Sequence, residues 1–388
     1  MKPMKVGVIG CGMISEIYLK NITSEFTNIL QAYACADMNP VAAQTRAEQF
    51  GIRVMSVEEL ITDPEIEIVL NLTVPASHYE ISKKALLAGK HAYSEKPLAV
   101  SLEEGRELVA LAQEKGLMVA AAPDTFLGGG IQTCLQLIEE GRVGTPISAQ
   151  GFMLARGPES FHTNPEFFYQ EGAGPLLDMG SYYFTALFAL FGPARQVNGM
   201  AKCTYPTRQV MSEKSPKYGE MFECKVDTYI SSGIEFENGV IANVVTSWDM
   251  TYPYWESGLP FLEIFGSRGT LIVPDPNTFG GLYDETPFGA VGKSVKLRSE
   301  TGKFEDIPVR YGYIKNSRGL GLADFAWSIQ CGCTPRVSGA GSLHVLEMML
   351  GVLISARERK NYKMTTRCQK PLGMFGDVSF KKGSEDKK

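Results

Sequence analysis

Histidine is scarce in this chain, with four in 388 residues, at positions 78, 91, 162 and 344. So few leave little choice for a proton carrier whose ordinary pKa lies near neutrality. Cysteine supplies no framework: the eight cysteines (11, 35, 134, 203, 224, 331, 333 and 368) include no C-x-x-C, and most lie inside apolar segments. Buried thiols in a reducing compartment are expected, and a metal at Cys331 and Cys333 would lack further ligands nearby. No metal is therefore expected. No apolar run approaches the roughly 18 residues that cross a bilayer, and the longest, near 184–191 and 345–354, suit buried helices. The stretch before Gly10 has too few apolar residues for a signal peptide, so a cytoplasmic location without a membrane partner is expected. Charge of one sign is missing too: 38 Lys+Arg against 43 Asp+Glu leaves a formal net charge of −5. That balance offers no general attraction to phosphate backbones and argues against a nucleic-acid partner.

What is present is an ordinary globular composition, 44% hydrophobic and 21% charged, at a length that favours two domains over one. Over the first third, β-rich runs alternate with helical patterns. Strands are predicted at 5–10, 30–37, 66–72, 91–94 and 118–122, with helices at 14–21, 40–50, 78–88 and 102–115. This alternation predicts βαβ units and a doubly wound, parallel Rossmann sheet in a dinucleotide-binding domain over 1–123. From residue 124 the texture changes. Helices at 131–140 and 179–191 flank a loop rich in Gly, Pro and aromatics. Strand-like runs follow at 196–205, 227–236, 239–246, 262–265 and 269–273. Asn238-Gly239 between two alternating runs marks a hairpin. Helical patterns return at 322–330 and 342–359, and the last residues, 381–388, read as a solvated tail. The second domain, 124–388, is predicted as α+β with an open, mainly antiparallel sheet, serving substrate binding and oligomerisation.

Gly10-Cys11-Gly12-Met13-Ile14-Ser15 falls where a strand turns into a helix, and Asp37 ends the next strand. Gly10 permits the tight turn, Gly12 lets a pyrophosphate approach the backbone at the helix N-terminus, and Ser15 is small enough for helix–strand packing. A nucleotide-free turn of the same shape is the bland alternative. Asp37 would accept the ribose hydroxyls and repel a 2′-phosphate, so NAD is favoured over NADP. Thr73-Val74-Pro75 ends another strand at the carboxyl edge, and Glu95-Lys96-Pro97 a further one.

Together the glycine turn, the TVPxxxH segment from Thr73 to His78 and the Glu95-Lys96-Pro97 tripeptide resemble the Gfo/Idh/MocA family of nicotinamide-dependent oxidoreductases, which act mostly on sugars and cyclitols. Further stretches extend the resemblance over nearly the whole chain: Pro123 to Gly128, the GAGPLLD segment from Gly172 to Asp178, and Glu263 to Gly266 followed by Gly269-Thr270-Leu271. The resemblance implies a nicotinamide site drawing on Gly10, Gly12, Met13, Ile14, Asp37, Thr73, Pro75, His78, Glu95 and Lys96. It gives Lys96 the place between nicotinamide and substrate, where a cation stabilises alkoxide character on the reacting oxygen. It also implies a homodimer or homotetramer formed through the exposed sheet face.

The family's D-x-G-x-H is here Asp178-Met179-Gly180-Ser181-Tyr182, with tyrosine where histidine is usual. A phenol of ordinary pKa near 10 is a poor base at neutral pH unless a neighbouring ammonium favours its phenolate. The expected catalytic set is therefore Lys96, Asp178 and Tyr182, with Tyr182 relaying the proton and Asp178 orienting Lys96 or a substrate hydroxyl. His162, in a loop among Phe167, Phe168 and Tyr169, is the rival proton carrier and a candidate substrate contact, as is Tyr183. Trp248, Tyr252 and Trp255 could stack on a sugar ring, although aromatics in such segments more often belong to core or interface. The function implied is hydride transfer between NAD and a ring secondary alcohol of a sugar, glycoside or inositol. An NAD-dependent glycosidase acting by transient ring oxidation, and a non-catalytic sugar-sensing regulator of the same fold, are the alternatives.

Overall fold

The computed structural model describes residues 2–252, 256, 260–280, 294–300 and 302–374; Trp255 and the tail 381–388 lie outside them. In chain order the first elements are β1 (Met4–Ile9), α1 (Ser15–Ser24), β2 (Leu30–Ala36), α2 (Pro40–Phe50), β3 (Arg53–Val54), α3 (Val57–Thr62), β4 (Ile68–Asn71), α4 (Pro75–Leu87), β5 (His91–Ser94), α5 (Leu102–Glu114) and β6 (Val119–Ala121). Next come α6 (Gly129–Glu139), β7 (Pro146–Leu154), α7 (Ser181–Phe191), β8 (Ala194–Lys202), β9 (Thr207–Gln209), β10 (Met221–Glu223), β11 (Tyr229–Phe236) and β12 (Ile241–Ser247). The chain continues through β13 (Leu262–Gly266), β14 (Gly269–Val273), β15 (Val295–Ser299), β16 (Glu305–Ile307), α8 (Leu320–Cys331), α9 (Gly339–Glu358) and β17 (Tyr362–Lys363).

Two compact units result. One comprises Met1–Leu127, Asn316–Leu343 and Pro371–Lys388, the other Gly128–Lys315 and His344–Lys370. This differs from a single cut after residue 123, because α8 and the head of α9 pack with the parallel sheet. The reasons are local. Asp124 Oδ2 accepts the Gly319 and Gly321 amides at the start of α8 (2.9 and 3.0 Å). Phe325 of α8 meets Tyr93 edge-on at 5.6 Å. The Ser342 hydroxyl accepts the Ala121 amide, closing on the end of β6.

In the first unit the strand order is β3-β2-β1-β4-β5-β6, all parallel. Strands covered on both sides should read as near-continuous apolar runs, and Ile68, Val69 and Leu70 are fully buried. Chain direction across the sheet reverses between β1 and β4, so the carboxyl ends of these strands flank the crevice where doubly wound folds take ligands.

The second unit holds a nine-stranded sheet ordered β16-β15-β14-β13-β7-β12-β11-β8-β17. It is antiparallel except for the β7–β12 pair. The Asn238-Gly239 turn joins β11 to β12 as predicted, with Gly239 at φ +88°. β7, near the sheet centre, was not among the expected strands: its core-facing positions are Ala149, Gly151 and Met153, too small an apolar signal. One sheet face is covered by helices, Tyr183 lying over Gly151 and Val352 over Gly199. The other carries half-buried Phe152, Val245, Phe265 and Ile272.

By length and composition α9 could cross a bilayer, although it holds no unbroken apolar run of that length. Here Leu346, Met348, Met349 and Val352 are core residues. Its buried Glu347 accepts the Thr365 and Thr366 amides (3.0 and 2.7 Å). α9 thus serves as a core helix of this fold.

Candidate functional site

The turn after β1 is built on a close approach. Gly10 has φ +101°, and a Cβ there would stand 2.6 Å from the Leu72 carbonyl and 2.9 Å from the Thr73 amide nitrogen. Only glycine fits this position without moving β4. Gly12 is the opposite case, exposed and with nothing within 4 Å of its would-be Cβ. Ser15, in place of a third glycine, is fully buried and donates its hydroxyl to the Gly12 carbonyl at 2.6 Å. No side chain caps the N-terminus of α1. Met13 is 78% exposed and Ile14 half-buried, so both border open space.

Asp37, at the end of β2, is oriented by the backbone: Oδ2 accepts the Cys11 amide and Oδ1 the Asn39 amide, each at 2.7 Å. A carboxylate fixed beside a glycine turn with room above Gly12 could hold a dinucleotide, with the pyrophosphate in the open space and the ribose hydroxyls on Asp37.

The next two strand ends are joined by side chains. Thr73 donates its hydroxyl to Asn71 Oδ1 (2.6 Å), and Pro75 opens α4. His78 has no exposed surface; its Nδ1 lies 2.6 Å from the Pro97 carbonyl and its Nε2 3.0 Å from that of Thr73. Burial pushes its pKa below the usual histidine value against the pull of those carbonyls. Glu95 is likewise engaged by the protein, with Oε1 accepting the Tyr18 hydroxyl (2.8 Å) and Oε2 the Lys96 amide (3.1 Å). These two expected cofactor contacts shape the edge from within. Lys96 stands half-buried just past β5.

In the second unit, the helix expected from 179 opens instead with a π-helical turn over Leu176–Gly180, and α7 begins at Ser181. Gly180 lies close to β12 here, its would-be Cβ 3.3 Å from Thr246 Cγ2. Asp178 sits in that wide turn, and single π turns in helices frequently occur at functional sites. Tyr182 is 7% exposed. Tyr183 is fully buried and donates its hydroxyl to the Phe152 carbonyl, so it is a core residue of this unit. His162 accepts the Asn164 amide on Nδ1 (3.0 Å), and its ring meets Phe167 and Phe168 edge-on. His91 and His344 are structural, His344 accepting the Ala194 amide at 2.9 Å while burial lowers its pKa to about 4.

One group had no signal in the sequence. Arg208, inward on β9, bonds Glu159 Oε1 (2.8 Å), the Trp248 carbonyl (3.2 Å) and Asp249, with all three charged side chains almost wholly buried. Tyr169 adds a hydrogen bond to Glu159. The triad pins the β9–β10 hairpin beside the His162 loop and floors a cleft of about 330 Å³ lined also by Arg156, Tyr205, Met211, Met221 and Met250. Trp248 is buried between Phe168 and Tyr169, whereas Tyr252 is exposed. Among the described residues, no three His, Cys, Asp or Glu converge in a way that could hold a metal ion.

The family model for the oxidoreductase family with an NAD-binding Rossmann fold, Gfo/Idh/MocA, matches residues 4–122, and the model of that family's C-terminal domain matches residues 131–272. The chain belongs to the Gfo/Idh/MocA oxidoreductase family. Among relatives of this Gfo/Idh/MocA chain, an uncharacterised oxidoreductase of Schizosaccharomyces pombe is 30% identical over 199 residues, 50% of this chain and 53% of that one. A second oxidoreductase of the same organism is matched over 54% of its length. The chain thus spans about half the length of these relatives. The scyllo-inositol 2-dehydrogenase (NADP(+)) of Bacillus subtilis is 27% identical over 92% of this chain and 95% of its own. Among solved structures, levoglucosan dehydrogenase in complex with NADH has a TM-score of 0.78 at 20% identity, over 94% of this chain and all of that one, a likeness of fold.

Proposed function

We propose that this Gfo/Idh/MocA protein is a dehydrogenase or reductase that uses NAD in preference to NADP and acts on a ring secondary alcohol, or the matching ketone, of a sugar, glycoside or inositol. One observation carries the reading: the open glycine turn and the backbone-oriented Asp37 lie on the same strand edge as Lys96. The Asp37 carboxylate supports NAD over NADP, because a 2′-phosphate would meet like charge. The name of the inositol enzyme supports the substrate class.

Bound nicotinamide supplies the hydride acceptor or donor. Lys96 donates a hydrogen bond to the reacting oxygen and stabilises its alkoxide character. Tyr182 carries the proton, and Asp178 orients Lys96 or a neighbouring substrate hydroxyl. His162 serves substrate binding at the aromatic loop. The half-buried apolar sheet face with Phe152, Val245, Phe265 and Ile272 supports association of two or four copies.

The test is anaerobic mixing of the protein with NAD and a panel of inositols, aldoses and glycosides, following the near-ultraviolet absorbance of NADH. Stoichiometric or catalytic NADH with one ring class supports the proposal. Release of an aglycone without net NADH overturns it in favour of redox-neutral glycoside cleavage. Tight NAD binding without turnover on any member overturns it in favour of a sensor.

A further inference from the structure

The turn that carries Lys96 is held from both sides by buried side chains of the two helices that frame the nucleotide edge. On one side, Tyr18 of α1 has no exposed surface and donates its hydroxyl to Glu95 Oε1 at 2.8 Å. Glu95 Oε2 in turn accepts the Lys96 amide at 3.1 Å. On the other, the equally buried His78 of α4 contacts the Pro97 carbonyl through Nδ1 at 2.6 Å. Asn71 ties the two sides together. Its carbonyl accepts the Glu95 amide (2.8 Å), and its side-chain nitrogen donates to the His78 carbonyl (3.1 Å). The residue before Lys96 and the residue after it are thus each fixed by a bond to a buried group, and its own amide is held by the half-buried Glu95.

We propose that Tyr18 and His78 are positioning residues for Lys96, setting where its ammonium stands without themselves touching cofactor or substrate. The consequence for catalysis rests on the reading of Lys96 as the group that meets the reacting oxygen.

Filling the core does not explain these choices, since Phe and Leu would fill similar volumes without burying polar atoms that need partners. The polar atoms instead converge on the backbone and neighbours of one residue. The histidine geometry also makes a definite demand. A neutral imidazole has one N–H, and two carbonyls cannot both accept it. Burial favours the neutral ring, and the shorter contact is at Pro97, so the proton belongs on Nδ1, leaving Nε2 bare toward Thr73.

Three measurements test this, the first two without any substrate. Long-range nitrogen–proton NMR of the full-length protein, with the His78 ring assigned by its loss in His78→Asn, should show the Nδ1–H tautomer. An Nε2–H tautomer with bare Nδ1 overturns the clamp. In the same substrate-free protein, the carbon-13 signal of dimethylated Lys96, assigned by its loss in Lys96→Met, should move in Tyr18→Phe and His78→Leu. Its staying fixed in both variants overturns the proposal.

The third measurement is kinetic, on whichever ring alcohol turns over. An asparagine amide can stand where Nδ1 stands, whereas a glutamine amide reaches the Nε2 position. His78→Asn should therefore recover most of the rate, while His78→Gln, His78→Leu and Tyr18→Phe lose roughly 10–100-fold in kcat, the scale expected of about 1 Å of misplacement. KM for NAD should stay within about threefold throughout, because hydride-transfer geometry and cofactor affinity are separable contributions. Equal losses in His78→Asn and His78→Leu that track melting temperature would mean that the bonds only stabilise the fold. If Lys96→Met turned over normally while the tautomer and the Lys96 signal behaved as described, the functional reading of Lys96 would fail and the clamp would stand.

Discussion

The two glycines of the first turn make opposite demands, and alanine at each should separate fold from function. At Gly10 an added Cβ would stand 2.6 Å from backbone atoms of Leu72 at φ +101°. The positive φ costs an L-residue roughly 1–2 kcal/mol, and backbone overlap adds about 1–3 kcal/mol. A loss of about 2–5 kcal/mol corresponds to a fall of about 4–20 °C in the melting of a unit this size. At Gly12 the space is open, so Gly12→Ala should melt within about 1–2 °C of the parent, helped if anything by reduced unfolded-state entropy. Its Cβ, however, occupies the approach of the pyrophosphate, and NADH affinity should drop about 10–100-fold, or about 1.4–2.8 kcal/mol. Differential scanning fluorimetry reads both effects. At an NADH concentration 100 times the parent Kd, ligand stabilises the parent by about 2.7 kcal/mol but a variant weakened 100-fold by only about 0.4 kcal/mol. If Gly12→Ala keeps the full ligand-induced shift, or Gly10→Ala melts like the parent, the reasoning from these clearances is wrong.

Tyr182→Phe removes one hydroxyl and should lower kcat about 10²–10⁴-fold, the usual worth of a positioned proton carrier, with NADH binding by fluorescence unchanged; a near-parent rate and pH profile, together with a collapse in His162→Gln, would move the role to His162. Asp124 is fully buried with its pKa raised from 3.8 to about 6, chiefly by desolvation. The folded chain therefore holds a proton that the unfolded chain has released between about pH 4 and pH 6. Stability is fullest below this window and declines through it, by about 3 kcal/mol at most. Asp124→Asn can still accept both glycine amides, so urea midpoints across pH 4–7 should lose that decline, and an unaltered slope would refute the assignment. Arg208→Met leaves Glu159 and Asp249 buried without their cation, and guanidinium denaturation should show a loss of about 3–5 kcal/mol; a loss under 1 kcal/mol would mean water reaches the triad.

Much of the first unit was legible because short, near-continuous apolar strand runs alternate with the 3.6-residue pattern of the crossover helices, and because the glycine turn depends on spacing alone. The second unit was harder where packing relies on small residues. β7 presents Ala149 and Gly151 to the core, where alternation carries little contrast. The spacing of Asp178 and Tyr182 is as clear in the sequence as in the structure, but no local pattern records the π turn that carries Asp178 or the close approach of Gly180 to Thr246. Arg208 lies among polar residues and reads like any surface arginine; only the return of Glu159 and Asp249 from distant segments makes it a buried hub. His78 was found through the motif that contains it. The direction of its ring, inward to two carbonyls, depends on the strand end nineteen residues later.

The chain crosses between its two units at Leu127, Lys315, Leu343 and Lys370. During synthesis, the parallel sheet can be assembled early, but the amides that satisfy Asp124 and the ring that covers Tyr93 arrive only with residues 319–325. The second unit in turn waits for the latter part of α9. The first unit needs residues 316–343 and the second residues 344–370, so the units cannot close strictly one after the other along the chain, as domain-by-domain folding would have it. An excised nucleotide unit ending at Leu127 would leave Asp124 without its two amides and Tyr93 uncovered, and it would need residues 316–343 supplied with it to close.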